Sequence, residues 1–420
     1  MIKKSRLTNF LISMLIFYFI YTPEFFLMFG LPIRSQYITL VAFILMLFYN
    51  LMLLSLEKKT SLIIDKDTYS LFAFIFIASA YFAFVAILNS EDTRFAQNTY
   101  IIAQVCVIFF LLQQLKKTSK YDIQLVTIFR LAAAQGVISI FMLLFPPLKE
   151  IALRLYYLGA EENYFISAMR IFGLSSDYTF FTPIYHGFLV SIGVYLSLFK
   201  KINLYRFLPL ILVAIVLNGR TGLILSIVLT FFVFFAYNLS NYSKIYDSIK
   251  VIIIVFLSGF IMINVLKTLN PKTYDWIYSS FEEIYYLFFK KEATGTFSTL
   301  DMMFQLPVGV HLIFGEGFRL YGNTKGLPHS DIGFVNDLYL GGIIYCVILY
   351  VSQFCYFAKL SFVTKKNERF VLLIIFIVTW CIANYKGEAS RGGLILLGLI
   401  VLKKIIKDLY TTKEAYGIGE

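Results

Sequence analysis

Polar residues capable of chemistry are concentrated in four short stretches of this 420-residue chain. "MRIFGLSSDYTFF" (169–181) carries Arg170 before a turn containing Gly173, and Asp177 before the next apolar run. "NGRTG" (218–222) sets Arg220 in a turn with glycines on both sides. "KGEASRGG" (386–393) repeats that pattern with Arg391, joined by Lys386 and Glu388. "GLPHSDIGFVNDLYLGG" (326–342) places His329 two residues from Asp331, with Asn336 and Asp337 further into the apolar run. An arginine beside a glycine-flanked helix start suits a phosphate group. Glycine admits a ligand close to the backbone, and a guanidinium binds phosphate oxygens bidentately. Histidine beside an acid is a natural general base near neutral pH. A plainer reading exists for each stretch. Ser175, Ser176 or Asp177 can cap one helix and Ser330 or Asp331 another, and Arg220 and Arg391 can be anchors at a membrane interface.

The elements that position these residues are apolar. The chain is 59% hydrophobic, with a mean hydropathy of +0.76, too apolar for a soluble domain. Its apolar runs approach the roughly 20 residues needed to cross a bilayer. They are continuous rather than alternating, so they predict helices and not a β-barrel. The expected fold is an all-α polytopic membrane protein of 11–12 helices. The predicted spans lie at about 8–22, 36–56, 69–88, 98–114, 123–145, 178–198, 204–218, 220–239, 250–267, 331–357, 370–385 and 389–402. With a cytoplasmic N-terminus, every inner segment is basic, and together these segments hold 22 of the 37 Lys and Arg residues. Both termini are therefore expected in the cytoplasm. All four chemical stretches then fall on the outer face, which also holds the two long loops, 146–177 and 268–330. The second loop contains "YSSFEEIYYLFF", which predicts an amphipathic helix on the membrane surface. With no internal repeat, residues 1–420 form one membrane domain.

Several classes are disfavoured. There is no phosphate-binding G-x-x-x-x-G-K-[ST] loop and no dinucleotide fingerprint. Asp65-Lys66-Asp67 could hold a metal, but it lies in a lysine-rich inner loop that predicts an ordinary solvated turn. His186 falls in a span and His311 in the outer loop, and no His/Cys metal spacing occurs. Cys106, Cys346, Cys355 and Cys381 lie in apolar runs and predict small hydrophobes. The net charge of +12 follows from the basic inner loops, so no nucleic-acid partner is implied. "MIKKSR" and the run after it lack a small-residue cleavage site and predict a span rather than a signal peptide.

These stretches resemble the bacterial O-antigen polymerase and ligase superfamily, whose pattern has an R-x-x-G…D/N before a mid-chain span. It also has an arginine corner at a helix top and a long periplasmic loop ending in H-[NS], followed by a glycine-containing apolar helix. Here Arg170 to Asp177, Arg220 or Arg391, and His329-Ser330-Asp331 followed by Gly341-Gly342-Ile343-Ile344 stand in those places. The chain departs where "SSDYTF" lacks the usual Pro-Asn and where "HSD" replaces "HN"; the latter is closer to polymerases. The resemblance implies a GT-C-like fold in the bacterial inner membrane, with a periplasmic active site that needs no metal, nucleotide or other cofactor. Its substrate would be an oligosaccharide on undecaprenyl diphosphate, and its partners membrane lipid and a chain-length regulator. Arg170, Arg220 and Arg391 would bind diphosphate, and His329, Asp331 or Glu388 would handle the acceptor proton. Asp177, Arg319, Lys325 and Tyr285 would contact glycan, with Tyr274, Trp276 and Tyr286 as further stacking surfaces. The rivals are an O-antigen ligase, which differs in acceptor, and a lipid-oligosaccharide flippase. Arg130 alone lies plainly within a predicted span, which disfavours transport.

Overall fold

The computed structural model describes residues 2–24, 34–60, 62–118, 122–153, 169–175, 180–240, 245–322 and 325–415. Within them all regular structure is helical. The helices are α1 (Ile2–Tyr21), α2 (Ser35–Ser55), α3 (Lys66–Leu88), α4 (Phe95–Thr118), α5 (Ile123–Leu144), α6 (Pro146–Leu153), α7 (Phe181–Phe199), α8 (Leu208–Asn218) and α9 (Arg220–Ser240). After α10 (Ile245–Leu269) come α11 (Pro271–Tyr285), α12 (Thr296–Met302), α13 (Val310–Phe314) and α14 (Gly333–Cys346). The last three are α15 (Ser352–Ala358), α16 (Lys366–Lys386) and α17 (Gly393–Ala415). A π-helical turn, Val347–Val351, joins α14 to α15. Each of the twelve apolar runs coincides with a helix, the tenth with α14, the π turn and α15 together. Among the described residues, eight helices are long and apolar enough to cross a membrane: α2 to α5, α7, α9, α14–α15 and α16.

Burial explains the arrangement. α7 is buried on nearly every side and packs against α8, α9, α16 and α17; a helix covered all round belongs at the centre of a bundle. α2 is the opposite. Leu40, Val41, Ile44, Leu45, Phe48 and Leu51 are apolar and exposed, a surface that water would penalise and lipid tolerates.

Charge sorts the two ends of the bundle. At one end Lys407 pairs with Asp65 at 2.9 Å, Lys359 with Asp67 at 2.6 Å, Lys200 with Glu368 at 2.8 Å and Lys116 with Asp408 at 3.6 Å. These contacts join segments that the charge rule places on one side. Asp65 also caps α3 by accepting from the Thr68 N–H at 2.9 Å, so the D-x-D is an ion-paired turn. Away from these ion pairs, residues 169–175, 217–220, 271–322, 325–331 and 386–391 are linked to one another.

The glycines of "NGRTG" have a different task from the one their exposure in a turn suggested. A Cβ on Gly222 would lie 2.1 Å from the Pro183 carbonyl oxygen, and one on Gly219 would lie 2.4 Å from the Pro183 ring. The backbone that approaches closely is the protein's own α7, not a ligand. This contact fixes where Arg220 begins α9. Gly222→Leu should therefore destabilise the protein by about 1–3 kcal/mol through overpacking. Gly259→Ala, at a position on α10 with nothing within 4 Å, should be neutral or stabilising by up to about 1 kcal/mol. Thermal unfolding of the detergent-solubilised variants separates the two outcomes.

Candidate functional site

Residues 169–175 are pinned by their neighbours. The Gln135 side chain donates to the Leu174 carbonyl at 2.7 Å and accepts its N–H at 2.8 Å. The Ile171 N–H donates to the Leu217 carbonyl at 2.9 Å, and the Thr273 hydroxyl donates to the Met169 carbonyl at 2.7 Å. Arg170 is thereby held with its guanidinium 4.7 Å from the centre of the Trp276 ring on α11. Arg220 meets the same ring at 5.0 Å. It also donates to Ser279 Oγ at 2.9 Å and Thr296 Oγ1 at 2.8 Å, and pairs with Glu283 at 3.2 Å. α11 reaches this position because its start is well specified: Asn270 accepts from the Thr273 N–H at 3.3 Å, and Pro271 follows it.

Arg170, Arg220 and Lys386 line a mainly apolar cavity of about 270 Å³, with Pro183, Ile224, Trp276 and Leu300 among its walls. Lys386 is within electrostatic reach of Arg170, Arg220, Glu283 and Asp331. Cations around an apolar space match a ligand with an anionic head and a hydrocarbon body.

A second cluster lies alongside. Arg391 is buried and pairs through Nε with Asp337 at 2.7 Å and through Nη2 with Glu388. Glu388 also accepts from Arg319 at 2.6 Å, and Asp337 accepts from the Tyr350 hydroxyl. Arg94 adds a guanidinium within electrostatic reach of Glu388, Arg319 and Arg391. Burial pushes the Glu388 carboxyl up, but Arg391 and Arg319 outweigh that and hold it below its ordinary range. The segment is braced by Ser390, whose hydroxyl donates to Asn384 Oδ1 at 2.6 Å and whose carbonyl accepts from Gln353 at 2.6 Å.

His329 Nε2 and Asp331 Oδ1 are 2.8 Å apart. The Gly322 N–H points at His329 Nδ1 from 3.4 Å, and Tyr321 packs on the ring. An imidazole accepting at Nδ1 carries its proton on Nε2, which then donates to Asp331. Neither Ser330 nor Asp331 caps α14. Its N-cap is Ile332, with no side-chain bond, and the Ser330 hydroxyl donates instead to the Met303 carbonyl at 2.9 Å. Asn336 is fully buried and ties the loop to the helix: it donates to the Ser330 and Ile332 carbonyls at 2.8 and 3.0 Å and accepts from the Tyr321 N–H at 2.9 Å.

The structure thus brings Arg170 and Arg220 together around Trp276, and Arg319, Glu388 and Arg391 together beside Asp337. Asp177 lies outside the described residues. Lys325 pairs with Glu91 and packs over Phe318. Tyr285 is exposed, stacks on Phe289 at 5.2 Å and does not line the cavity; α11 runs on as a π turn, Tyr286–Lys290, that leaves Phe288 and Phe289 exposed. Sequence reasoning missed Glu283, Thr296, Arg94 and Tyr350. Arg94 had a signal, being a cation in a short loop that the charge pattern assigns to the outer face, where the rule disfavours one. The others are defined only by tertiary contact. Comparisons of the chain with family profiles, curated proteins and solved structures gave no match.

Two outcomes follow from the charged cluster. Arg391→Ala leaves Asp337 buried and uncompensated and should cost about 3–5 kcal/mol, whereas Arg391→Met combined with Asp337→Leu should cost much less; thermal unfolding of the purified variants measures both. A carboxylate with a depressed folded-state pKa stabilises above its unfolded value and loses that contribution as pH falls. Glu388 therefore contributes fully above pH 4.5, its ordinary value, and progressively less below it. Melting temperature between pH 7 and 3 should fall less steeply for Glu388→Gln than for the unmodified protein.

Proposed function

We propose that this protein is a glycosyltransferase of the O-antigen polymerase type, with twelve transmembrane helices, a GT-C-like fold and both termini in the cytoplasm of a bacterial inner membrane. It joins oligosaccharide repeat units carried on undecaprenyl diphosphate at the periplasmic face. The observation that carries this reading is the convergence of Arg170, Arg220 and Lys386 on an apolar-walled cavity at one end of the bundle. The cations suit a diphosphate and the apolar walls suit the first isoprene units of its lipid.

The chemistry is an inverting transfer. An acceptor hydroxyl oxygen bonds to the donor's anomeric carbon. The bond from that carbon to the diphosphate oxygen breaks, and its electron pair leaves with the lipid diphosphate. Arg170, Arg220 and Lys386 stabilise the charge developing there, where loss of one such group typically costs ~10²–10³ in rate. His329 accepts the hydroxyl proton at Nδ1, giving up the long 3.4 Å contact from the Gly322 N–H, and Asp331 steadies the resulting imidazolium, an effect of ~10²–10⁴. Glu388 is less suited to be the base, because two guanidiniums hold it as a weak one. The balanced charges around Arg391 instead hold the segment that carries Lys386.

The test is the surface polysaccharide of cells lacking the gene, resupplied with variants whose membrane abundance is matched. Deletion should reduce the ladder to a single repeat. Arg220→Ala and His329→Ala should fail to restore it, while Tyr285→Ala should restore it fully. Loss of all attached glycan, with accumulation of long lipid-linked polymer, would make the protein a ligase. A full ladder from the Arg220 and His329 variants would overturn the site.

A further inference from the structure

A second cavity, of about 260 Å³, has Glu388 and Arg391 in its wall, residues of the same 386–391 segment that gives Lys386 to the first. Its remaining lining is unlike that of the cationic cavity. Gln36, Gln97, Asn98 and Gln104 come from the first residues of α2 and from α4, with Glu24, Ser35 and Tyr100 beside them and the Phe181 ring on the side of α7. The space far exceeds a single water site, for which ~10–15 Å³ suffices.

Two buried amides are incompletely satisfied. Asn98 is 4% exposed and its Nδ2 has no acceptor among the described residues. Gln104 is 3% exposed and donates to the Phe19 carbonyl at 2.8 Å, but its Oε1 has no donor there. A buried amide group without a partner is costly, so such a pair marks a place where a ligand or water completes the bonding. The charges limit the ligand. Glu24 is committed to the start of α2, accepting from the Ser35 N–H at 2.8 Å and the Ser35 hydroxyl at 2.6 Å. Arg391 is committed to Asp337 and Glu388. An anion would meet two carboxylates and a cation would meet Arg391. A neutral polyol meets groups that both donate and accept, as its own hydroxyls do, and an aromatic edge for its ring.

We propose that this amide-lined cavity is a carbohydrate subsite, which holds the sugar of the acceptor while the cationic cavity holds the donor's diphosphate. The assignment to the acceptor rests on the transferase reading; carbohydrate binding itself does not.

The test uses the full-length protein in nanodiscs and two probes: undecaprenyl diphosphate, and the lipid-free oligosaccharide released by mild acid from the lipid fraction of the producing cells. Saturation-transfer NMR reads the sugar, and competition with a fluorescent polyprenyl diphosphate reads the lipid. Asn98→Leu should weaken oligosaccharide binding about tenfold, the equivalent of one hydrogen bond, and leave the lipid diphosphate unaffected. Arg220→Ala should do the reverse. Gln97→Ala, at an exposed position of the lining, serves if Asn98→Leu does not fold. Oligosaccharide binding that is absent in the unmodified protein, or unchanged in both amide variants, overturns the subsite and leaves a water-filled gap. Loss of sugar binding in the amide variants, with lipid diphosphate binding intact in Arg220→Ala, upholds the subsite and sinks the transferase reading.

Discussion

A buried guanidinium in an apolar bundle must be neutralised where it sits, and Arg391 is such a group. Its partners come from two directions, Asp337 on α14 and Glu388 on its own turn. Glu388 in turn engages Arg319 from the loop before α14. Removing charges from water is costly and is repaid only by good geometry and further hydrogen bonds. The Tyr350 hydroxyl supplies one to Asp337. The network therefore fixes the relative positions of α14, the α16–α17 turn and the segment that carries Arg319. Lys386 ends α16 just before that turn and Glu388 lies within it, and the segment contributes to the walls of both cavities. Shifting the turn would change both at once.

The cationic cavity is built differently. Its framework is steric, set where α9 starts against Pro183 and where Asn270 and Pro271 start α11. Trp276 gives Arg170 and Arg220 a common surface. Two arginines that would repel one another are held near one ring by its negative face and by Glu283. The cavity is cationic without being an unbalanced cluster of charge.

Most of the helical framework was legible in the sequence, because long apolar runs bounded by basic loops admit few other structures. The apolar run at 331–357 became α14 and α15, and short "LPLILVAIVLN" became α8. Arg170, Arg220 and Arg391 stood out for a related reason, being cations in segments that the charge pattern assigns to the less basic side. What could not be read was pairing across the chain. Glu283 belongs to a stretch whose aromatic residues suggested a surface helix, and only the fold shows it reaching Arg220 over 63 positions. Asp331 looked equally fit to cap a helix or to pair with His329, and the choice depends on where α14 begins. Asn98 and Gln104 gave no signal, since amides in an apolar helix attract notice only when the space beside them is known.

The glycine pair in α14 has a consequence for how this protein can be recombined. Gly342 has a φ of 66°, and the helix breaks there. The Tyr339 and Leu340 carbonyls accept from the N–H groups of Glu316 and Gly317, at 2.7 and 3.1 Å. Part of a span therefore has its backbone satisfied by a loop from outside the helix, where lipid could offer no substitute. Gly315 lies too close to Gly341, and Gly342 too close to the Ile313 carbonyl, for Gly315 or Gly342 to carry a side chain without displacement. Residues 309–317 and the first half of α14 thus form a single inheritable module, interrupted in sequence but not in hydrogen bonding. A chimera that exchanged the outer loop for a relative's while keeping the native helix would strand both sets of backbone groups, so the crossover would have to fall after Cys346.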